Sequence, residues 1–285
     1  MVQPSGYEDK DHHNCVCKLN NSLYGLKQAP RAWNEKLAYA LISPDFKPSL
    51  AGPSLFVQKL GSKLTIMLVY VDDIIITNND VSHCKKHILH LSTLFRVIDL
   101  GSLHFFLGLQ VTRNAKGLFL CQTKYSIDLL LKCNLVGIKP CSSPCPANFK
   151  LSASDGDLLS SLTEYRSLVG SSQYLTWTRP DIIYAVNQIC QFMHDPTIAH
   201  LQAAKRVLRY IKGTLGHGIV FSKGFSALQG YTDADWDGNP DDRRSVSGYC
   251  IFFGGNPISW SSKKQPTVSI SSTEAEYKSL ASTVA

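Results

Sequence analysis

The sequence predicts an α+β fold, and three patterns support this prediction. Two short apolar runs rich in β-branched residues flank an acidic pair between Leu64 and Thr77, which is typical of paired strands. Apolar residues recur at helical spacing, most clearly from Arg31 to Ile42 and from His200 to Thr214. From Gly230 onward, three strand patterns are followed by a helix pattern. An apolar fraction of 44% over 285 residues is sufficient for a packed core in about one to three domains.

Composition restricts the compartment and the class of partner. No run of 18 apolar residues exists and the N-terminus lacks a signal-peptide pattern, so we expect an intracellular protein of the cytoplasm or nucleus, with no membrane partner. The nine cysteines include only two close pairs, Cys15/Cys17 and Cys141/Cys145, and their spacing favours free thiols over a zinc site. The net charge of +7 favours a polyanionic partner such as nucleic acid.

The first helix pattern begins at a proline. Pro30 suits the first turn of a helix, where its missing N–H has no partner in any case. A helix from about Arg31 to Ile42 would direct its N-terminus, which favours anions, towards Lys27 and Gln28. These residues predict a phosphate-binding segment, and the alternative is an ordinary loop–helix junction.

The acidic pair Asp72 and Asp73 lies where the two strands would turn. Residues that alternate between faces within a strand converge at a tight turn, so the two carboxylates would lie close together. Two like charges in a largely apolar setting repel, and a divalent cation removes that cost. Mg²⁺ prefers hard oxygen ligands and keeps positions open for water or phosphate. The alternative is a hairpin with an acidic tip and no metal.

The central part of the chain is predicted to be mostly helical. The patterns indicate helices over 82–95, 124–133, 164–176, 180–194 and 200–214, strands within 97–111 and 117–120, and a proline-rich linker over 139–155. On the helix over 200–214, Lys205, Arg209 and Lys212 form one basic face. Such a face suits a nucleic-acid backbone, although a solvated surface helix has the same pattern.

A second acidic pattern occupies the last sixty residues. Asp233 lies on the first of three predicted strands, and Glu276 lies on the helix that follows them. Ser271 and Glu274 have the spacing of a capping box, which gives Glu274 a structural role. This order of elements resembles the ribonuclease H fold, in which Asp233 and Glu276 would be the paired carboxylates. Asp235 and Asp237 are alternatives that we assign to the following turn or to the surface.

Longer motifs resemble one family. Residues 23–33, Leu-Tyr-Gly-Leu-Lys-Gln-Ala-Pro-Arg-Ala-Trp, and the tetrad Tyr70-Val-Asp-Asp73 resemble the reverse transcriptase of copia-type retrotransposon polyproteins. The opening residues 1–7 and Pro53-Ser-Leu-Phe56 are also similar to that family. Gly52, Asn78 and Leu201 depart from its pattern. The resemblance covers nearly all of the chain.

The resemblance implies three parts and two metal-dependent sites. The parts are an N-terminally truncated palm over 1–115, a mostly helical thumb and connection over 116–222, and a C-terminally truncated ribonuclease H-like α/β domain over 226–285. Both sites would transfer phosphoryl groups with Mg²⁺ or Mn²⁺. The partners implied are an RNA template, a DNA primer, an RNA–DNA hybrid and deoxynucleoside triphosphates. The implied metal ligands are Asp72, Asp73, Asp233 and Glu276; nucleotide or template would contact Lys27, Gln28, Arg31 and Tyr70; the nucleic-acid backbone would contact Lys205, Arg209 and Lys212.

The family pattern also predicts that some catalytic groups are missing. A further polymerase carboxylate would precede Met1, and further ribonuclease H carboxylates would follow Ala285. We therefore expect the isolated chain to have greatly reduced activity. The alternative is a non-catalytic nucleic-acid-binding or structural protein derived from a retroelement.

Overall fold

A computed structural model describes residues 2–20, 23, 25–42, 45–147 and 150–285. Some residues of the predicted segments lie outside the described residues. They are Met1 in segment 1–7, Tyr24 in segment 23–33, and residues 148 and 149 of the predicted linker. The chain divides into two compact units, Met1–Ser102 and Leu103–Ala285. In the described ranges there are three antiparallel sheets and seven α-helices, which confirms the prediction of a mixed α and β architecture.

The first unit is a four-stranded sheet with two helices. Its elements in chain order are α1 (Ala29–Ile42), β1 (Lys47–Ser49), β2 (Gly52–Leu60), β3 (Lys63–Tyr70), β4 (Asp73–Asn78) and α2 (Val81–Leu94). The strands are neighbours in sequence order, so the sheet is a simple meander. The two helices and the strand pair around the acidic turn lie within two residues of the bounds predicted from sequence.

The core of this unit follows from alternation along β3. Thr65, Met67 and Val69 are buried, whereas the residues between them are more exposed, because successive side chains of a strand point to opposite faces. Met67 and Val69 pack with Leu37 and Leu41 of α1 and with Leu91 of α2. The sheet is therefore covered on this face, and its turns project from the covered layer.

The second unit begins with another antiparallel sheet. Its elements are β5 (Phe105–Phe106), β6 (Leu109–Asn114), β7 (Gly117–Cys121), α3 (Thr123–Lys132), α4 (Leu162–Leu175), a 3₁₀ turn (Pro180–Ile182), α5 (Ile183–Cys190), α6 (Ile198–Gly213) and β8 (Gly218–Phe221). Strands β5 to β8 pair in sequence order. The turn Leu107–Gly108 between β5 and β6 has positive φ at both residues, so the single strand expected within 97–111 is a tight hairpin.

The helical core lies between α4, α5 and α6. Tyr165, Val169, Leu208 and Ile211 are almost completely buried, and the hydroxyl of Tyr165 donates a hydrogen bond of 2.6 Å to the carbonyl of Ile189. The helix predicted over 180–194 is shorter in the structure. It starts as a 3₁₀ turn over Pro180–Ile182 and continues as an α-helix that ends at Cys190.

The segment predicted as a linker is irregular but packed. Leu151 is buried in the helical core, and the carbonyl of Ser152 accepts a hydrogen bond of 3.0 Å from Nε2 of His200. The backbone N–H of Ala153 donates to the carboxylate of Asp241 at 2.8 Å. These contacts tie the C-terminal end of the segment to α6 and to the loop over residues 236–245.

The third sheet contains β9 (Leu228–Asp235), β10 (Val246–Phe253) and β11 (Asn256–Lys264), with β10 in the centre, and is followed by α7 (Ser272–Val284). Ser271 caps α7 by accepting a hydrogen bond of 3.1 Å from the backbone N–H of Glu274. The Glu274 side chain reaches back to the N–H of Ile270 at 2.7 Å rather than to that of Ser271. The predicted structural role of Glu274 is confirmed, because both interactions satisfy N–H groups at the start of the helix.

Candidate functional site

The acidic pair occupies a two-residue hairpin. Tyr70 and Asp73 are paired across β3 and β4, and Val71 and Asp72 form the turn between them. Val71 has a φ of 49°. A β-branched residue rarely adopts this left-handed conformation, whereas two-residue hairpins require positive φ at the first turn position. The turn is therefore where the sequence predicted it, but its first residue is a valine, which is sterically unsuited to positive φ.

The carboxylates of Asp72 and Asp73 are both solvent-exposed. They lie at adjacent positions, Asp72 in the turn and Asp73 at the first position of β4. Tyr70, which precedes the turn, is about half exposed. The hairpin thus presents two oxygen-rich side chains and an aromatic ring to the surroundings, while the strands behind it are anchored in the core.

One side chain from α1 contacts the turn directly. The indole Nε1–H of Trp33 donates a hydrogen bond of 2.5 Å to the carbonyl of Val71. Trp33 also packs edge-to-face on Phe95, with 5.2 Å between ring centroids, and the ammonium of Lys36 lies 6.0 Å from the same Phe95 ring. This contact links the predicted helix and the predicted hairpin, and no local pattern in the sequence indicates it.

A cleft of about 730 Å³ opens between the turn and the start of α1. Asp72, Val71 and Trp33 are among the residues that line it, and Lys27 and Lys36 contribute two basic residues to the lining. The remaining lining residues are Asn20, Leu23, Gly25, Leu26, Ala29, Pro30 and Ala32. The cationic side chains of such a cleft attract an anionic ligand. The carboxylate beside them offers a position for a cation between itself and the bound anion.

The other residues predicted to contact nucleotide, Gln28, Arg31 and Tyr70, are not among the described residues that line this cleft. Gln28 is exposed, and its carbonyl accepts a hydrogen bond of 3.1 Å from the N–H of Ala32 at the start of α1. Arg31 is directed to solvent and pairs with Glu35 one turn later at 2.8 Å. Of the predicted set, the structure brings Lys27 and Asp72 to one cleft, while the guanidinium of Arg31 is engaged by its own helix.

The donor chemistry of the hairpin fits a hard divalent cation. Mg²⁺ is commonly held by one or two carboxylates and keeps several coordination positions for water and phosphate oxygens. Asp72 and Asp73 supply two exposed carboxylates at neighbouring positions. Within the described ranges, no group of three or more His, Cys, Asp or Glu side chains is placed to hold a metal ion. The pair therefore suits an open site in which the substrate completes the coordination.

The second acidic pattern lies on the third sheet and α7. Asp233 is in β9 and Glu276 is in the second turn of α7, and both side chains are exposed. Ser279, three residues after Glu276, donates a hydrogen bond of 2.8 Å to the backbone carbonyl of Asp233. Its hydroxyl also lies 2.6 Å from that of Thr232. These bonds fasten α7 across the strand that carries Asp233.

The two alternative acids of this region differ from each other. Asp237 lies in the turn after β9 and forms a two-point ion pair with Arg243 at 2.8 and 2.9 Å. Asp235 is the last residue of β9 and is half-buried, and burial raises its pKa. The carboxylate accepts a hydrogen bond from the N–H of Val246. Sequence reasoning assigned both residues to a turn or to the surface, and the half-buried position of Asp235 depends on β10 packing beside it.

The basic face of α6 makes internal contacts. Lys212 donates hydrogen bonds of 2.5 Å to the carbonyls of Val136 and Ile138, and Arg209 donates one of 2.9 Å to the carbonyl of Lys139. Lys205 lies 4.0 Å from the carboxylate of Glu164. These side chains stabilise the loop after α3, and binding of a nucleic-acid backbone by this face stays a prediction.

Comparisons with known proteins place these features in a family. The sequence profile of the family described as reverse transcriptase (RNA-dependent DNA polymerase) matches residues 1–147, which include the cleft and the acidic hairpin. The chain belongs to the reverse transcriptase family. This membership confirms the resemblance drawn from the segment 23–33 and the tetrad at residues 70–73.

The relatives of this reverse transcriptase chain include two transposon polyproteins and a mitochondrial protein. The retrovirus-related Pol polyprotein from transposon RE1 of Arabidopsis thaliana is 51% identical over 99% of the chain. The corresponding polyprotein from transposon TNT 1-94 of Nicotiana tabacum is 38% identical over 97%. The chain spans about a fifth of the length of these two relatives, 19% and 22%. An uncharacterised mitochondrial protein of Arabidopsis thaliana is 47% identical over 77% of the chain and 91% of its own length.

The helices of this reverse transcriptase chain are short. None in the part of the chain that the structure describes is long and apolar enough to cross a membrane.

Proposed function

We propose that the chain is a fragment of the polymerase of a copia-type element. As part of the longer polyprotein it would help to copy RNA into DNA by metal-dependent phosphoryl transfer, and as an isolated chain it would retain greatly reduced activity. The observation that carries this proposal is the acidic hairpin at the cleft, whose lining Asp72 shares with the basic residues Lys27 and Lys36. The cleft has a volume of about 730 Å³, which is within the range of small-molecule sites and suits a nucleoside triphosphate.

The proposal assigns separate tasks to the residues around the cleft. Asp72 and Asp73 hold divalent cations, Mg²⁺ or Mn²⁺, through their exposed carboxylates. When bound, the cations supply charge neutralisation for the attacking and leaving oxygens of phosphoryl transfer. Lys27, in the lining of the same cleft, neutralises phosphate charge, and Gln28, just before α1, contacts the nucleotide or template. Tyr70 presents its half-exposed ring beside the nucleotide.

Primer extension tests this assignment. The chain is incubated with an RNA template, a DNA primer, deoxynucleoside triphosphates and Mn²⁺, and Asp72→Asn is compared with the wild type. The isolated chain is expected to show only low incorporation, and loss of a carboxylate ligand is expected to reduce that residual incorporation by about 10²-fold or more. Asp128→Asn, which removes an exposed carboxylate on α3, is the matched control and leaves incorporation unchanged. Incorporation by Asp72→Asn at the wild-type rate would refute the assignment.

For the rest of the chain, we infer the three parts indicated by the sequence: a palm over 1–115, a thumb and connection over 116–222, and a ribonuclease H-like domain over 226–285. The hairpin of β6 and β7 spans the first of these boundaries. In the third part, Asp233 and Glu276 would hold cations for cleavage of the RNA strand of an RNA–DNA hybrid. The hydrogen bond from Ser279 to the Asp233 carbonyl supports this pairing, because it joins the strand and the helix that carry the two acids.

Hybrid cleavage separates the two sites. Asp233→Asn is expected to abolish cleavage of the RNA strand and to leave primer extension intact, whereas Asp72→Asn has the reverse effect. Lys205, Arg209 and Lys212 are proposed to contact the backbone of the bound hybrid. Lys205 makes the longest internal contact of these three side chains, 4.0 Å to Glu164, so it is the most available for a ligand. Lys205→Gln is then expected to weaken hybrid binding and to reduce the salt dependence of that binding.

A further inference from the structure

From the contact between α1 and the acidic hairpin, we infer that Trp33 is a positioning residue for the metal-binding carboxylates. Its indole N–H fixes the orientation of the Val71–Asp72 peptide, and through that peptide it fixes the direction of the Asp72 side chain. This inference rests on the proposed function, because it assigns Trp33 to the same site.

The first step is the conformation of Val71. Its φ of 49° lies in the left-handed region, where the β-carbon of an L-residue crowds the following carbonyl. Branching at the β-carbon makes this worse, so an isolated hairpin with valine at this position favours other conformations. Such outliers persist only where surrounding contacts determine them, and they concentrate at functional sites.

The second step is the contact that determines this conformation. Val71 lies between the paired residues Tyr70 and Asp73, so its carbonyl is outside the ladder of β3 and β4. The indole of Trp33 donates to that carbonyl at 2.5 Å. Trp33 is itself held by α1 and by edge-to-face packing on Phe95, so the donor is fixed on a rigid element.

The third step connects the carbonyl with the acid. A peptide group is planar and includes the carbonyl of one residue, the N–H of the next and both α-carbons. A hydrogen bond to the Val71 carbonyl therefore sets the plane that ends at the α-carbon of Asp72. Rotation of this plane would redirect the Asp72 carboxylate and change its position relative to Asp73.

A rescue experiment tests the role on the full chain. Trp33→Phe keeps a ring for packing on Phe95 but has no donor, and it is expected to weaken Mn²⁺ binding by about 10-fold or more, as loss of a supporting hydrogen bond commonly does. Val71→Gly in the Trp33→Phe background is expected to restore most of the affinity, because glycine adopts positive φ without strain. Mn²⁺ affinity is measured by electron paramagnetic resonance.

The matched control is Trp260→Phe. Trp260 also donates its indole N–H to a backbone carbonyl, that of Thr176 at 2.8 Å, but it lies on β11 in the second unit. This variant is expected to bind Mn²⁺ like the wild type. If Trp33→Phe also bound like the wild type, or if Val71→Gly gave no rescue, the positioning role would be refuted.

A second readout does not depend on metal. Val71–Asp72 is the only Val–Asp pair in the sequence, so labelling valine carbonyls with ¹³C and aspartate nitrogens with ¹⁵N gives one resonance for this peptide. Loss of the hydrogen bond in Trp33→Phe is expected to move the carbonyl resonance upfield, and an unchanged resonance would overturn the inference. If the wild type bound no Mn²⁺ while this resonance responded as expected, the proposed metal site would be wrong and the Trp33 contact would stand.

Discussion

The Nε2 atom of His87 lies 3.1 Å from Oε1 of Gln58 and joins α2 to β2 in the interior of the first unit. An amide oxygen only accepts hydrogen bonds, so this ring nitrogen carries the proton. His83 reaches the same oxygen from one turn earlier, at 3.3 Å, and its ring lies 4.7 Å from that of His87. Because the two rings lie so close together, a positive charge on His83 disfavours a positive charge on His87.

The first prediction concerns acid stability. The pKa of His87 is lowered from 6.5, first by burial and then by the charges of His83 and His90. The unfolded state therefore binds a proton more readily, and the stability of the folded state is fully present above pH 6.5 and falls as the pH drops below it. His87→Gln keeps a donor for Gln58 but does not titrate. Urea unfolding at pH 7.5 and 5.5 is expected to show a smaller loss for this variant, and equal losses would contradict the prediction.

The second prediction concerns an ion pair in which the arginine is buried and the aspartate is about a third exposed. Arg179 is only 3% exposed and binds Asp181 through two hydrogen bonds of 2.9 and 2.7 Å. Asp181→Asn leaves the guanidinium without a counter-charge, so we expect a loss of about 3 kcal/mol in the free energy of unfolding. The measurement is chemical denaturation followed by circular dichroism.

The control for this prediction is an exposed pair of the same chemistry. Arg31 and Glu35 are 2.8 Å apart but their side chains are 85% and 64% exposed, so Glu35→Gln is expected to cause no measurable change. Similar losses in the two variants would show that burial does not determine the strength of the Arg179–Asp181 pair.

The third prediction concerns the hairpin between β5 and β6. Gly108 has a φ of 74°, and a β-carbon at this position would lie 2.5 Å from the hydroxyl of Tyr174. Gly108→Ala is therefore expected to cost about 2 kcal/mol, from backbone strain and from displacement of that ring. Thermal unfolding of the variant is compared with that of Gly137→Ala, a position with open space around it.

A double variant separates the two causes. The Tyr174 hydroxyl donates to the carbonyl of Leu107, the other turn residue. In Gly108→Ala/Tyr174→Phe the close contact with the hydroxyl is removed, so the combined loss is expected to be smaller than the sum of the single losses. Additive losses would show that backbone strain alone accounts for the effect of Gly108→Ala.

Local patterns predicted those elements whose cause is local. The α1 helix, the strands around the acidic turn and the cap of α7 depend on apolar spacing, turn residues and a serine three residues before a glutamate. The helix over 180–194 was predicted too long, because the apolar spacing continues to Phe192 although the helix, which starts as a 3₁₀ turn, ends at Cys190.

The candidate site was predictable in part. Asp72, Asp73 and Lys27 are recognisable from the sequence, because acids between two apolar runs and a cation before a helix are local features. Trp33 was not recognised as a partner of the turn, since it lies 38 residues from Val71 and the connection is a single hydrogen bond. The half-buried state of Asp235 was missed for a similar reason.

The sequence by itself determined the family, the mixed α and β architecture and the position of the acidic turn, because these follow from the order and spacing of residue types along the chain. The tertiary structure alone decided which distant residues come together: Trp33 with the Val71 carbonyl, Lys27 and Asp72 in the lining of one cleft, and Lys212 with the loop after α3. Directional contacts between distant segments depend on how helices and strands pack. The periodicity of apolar residues within a short stretch of sequence predicts the helices and strands but not their packing.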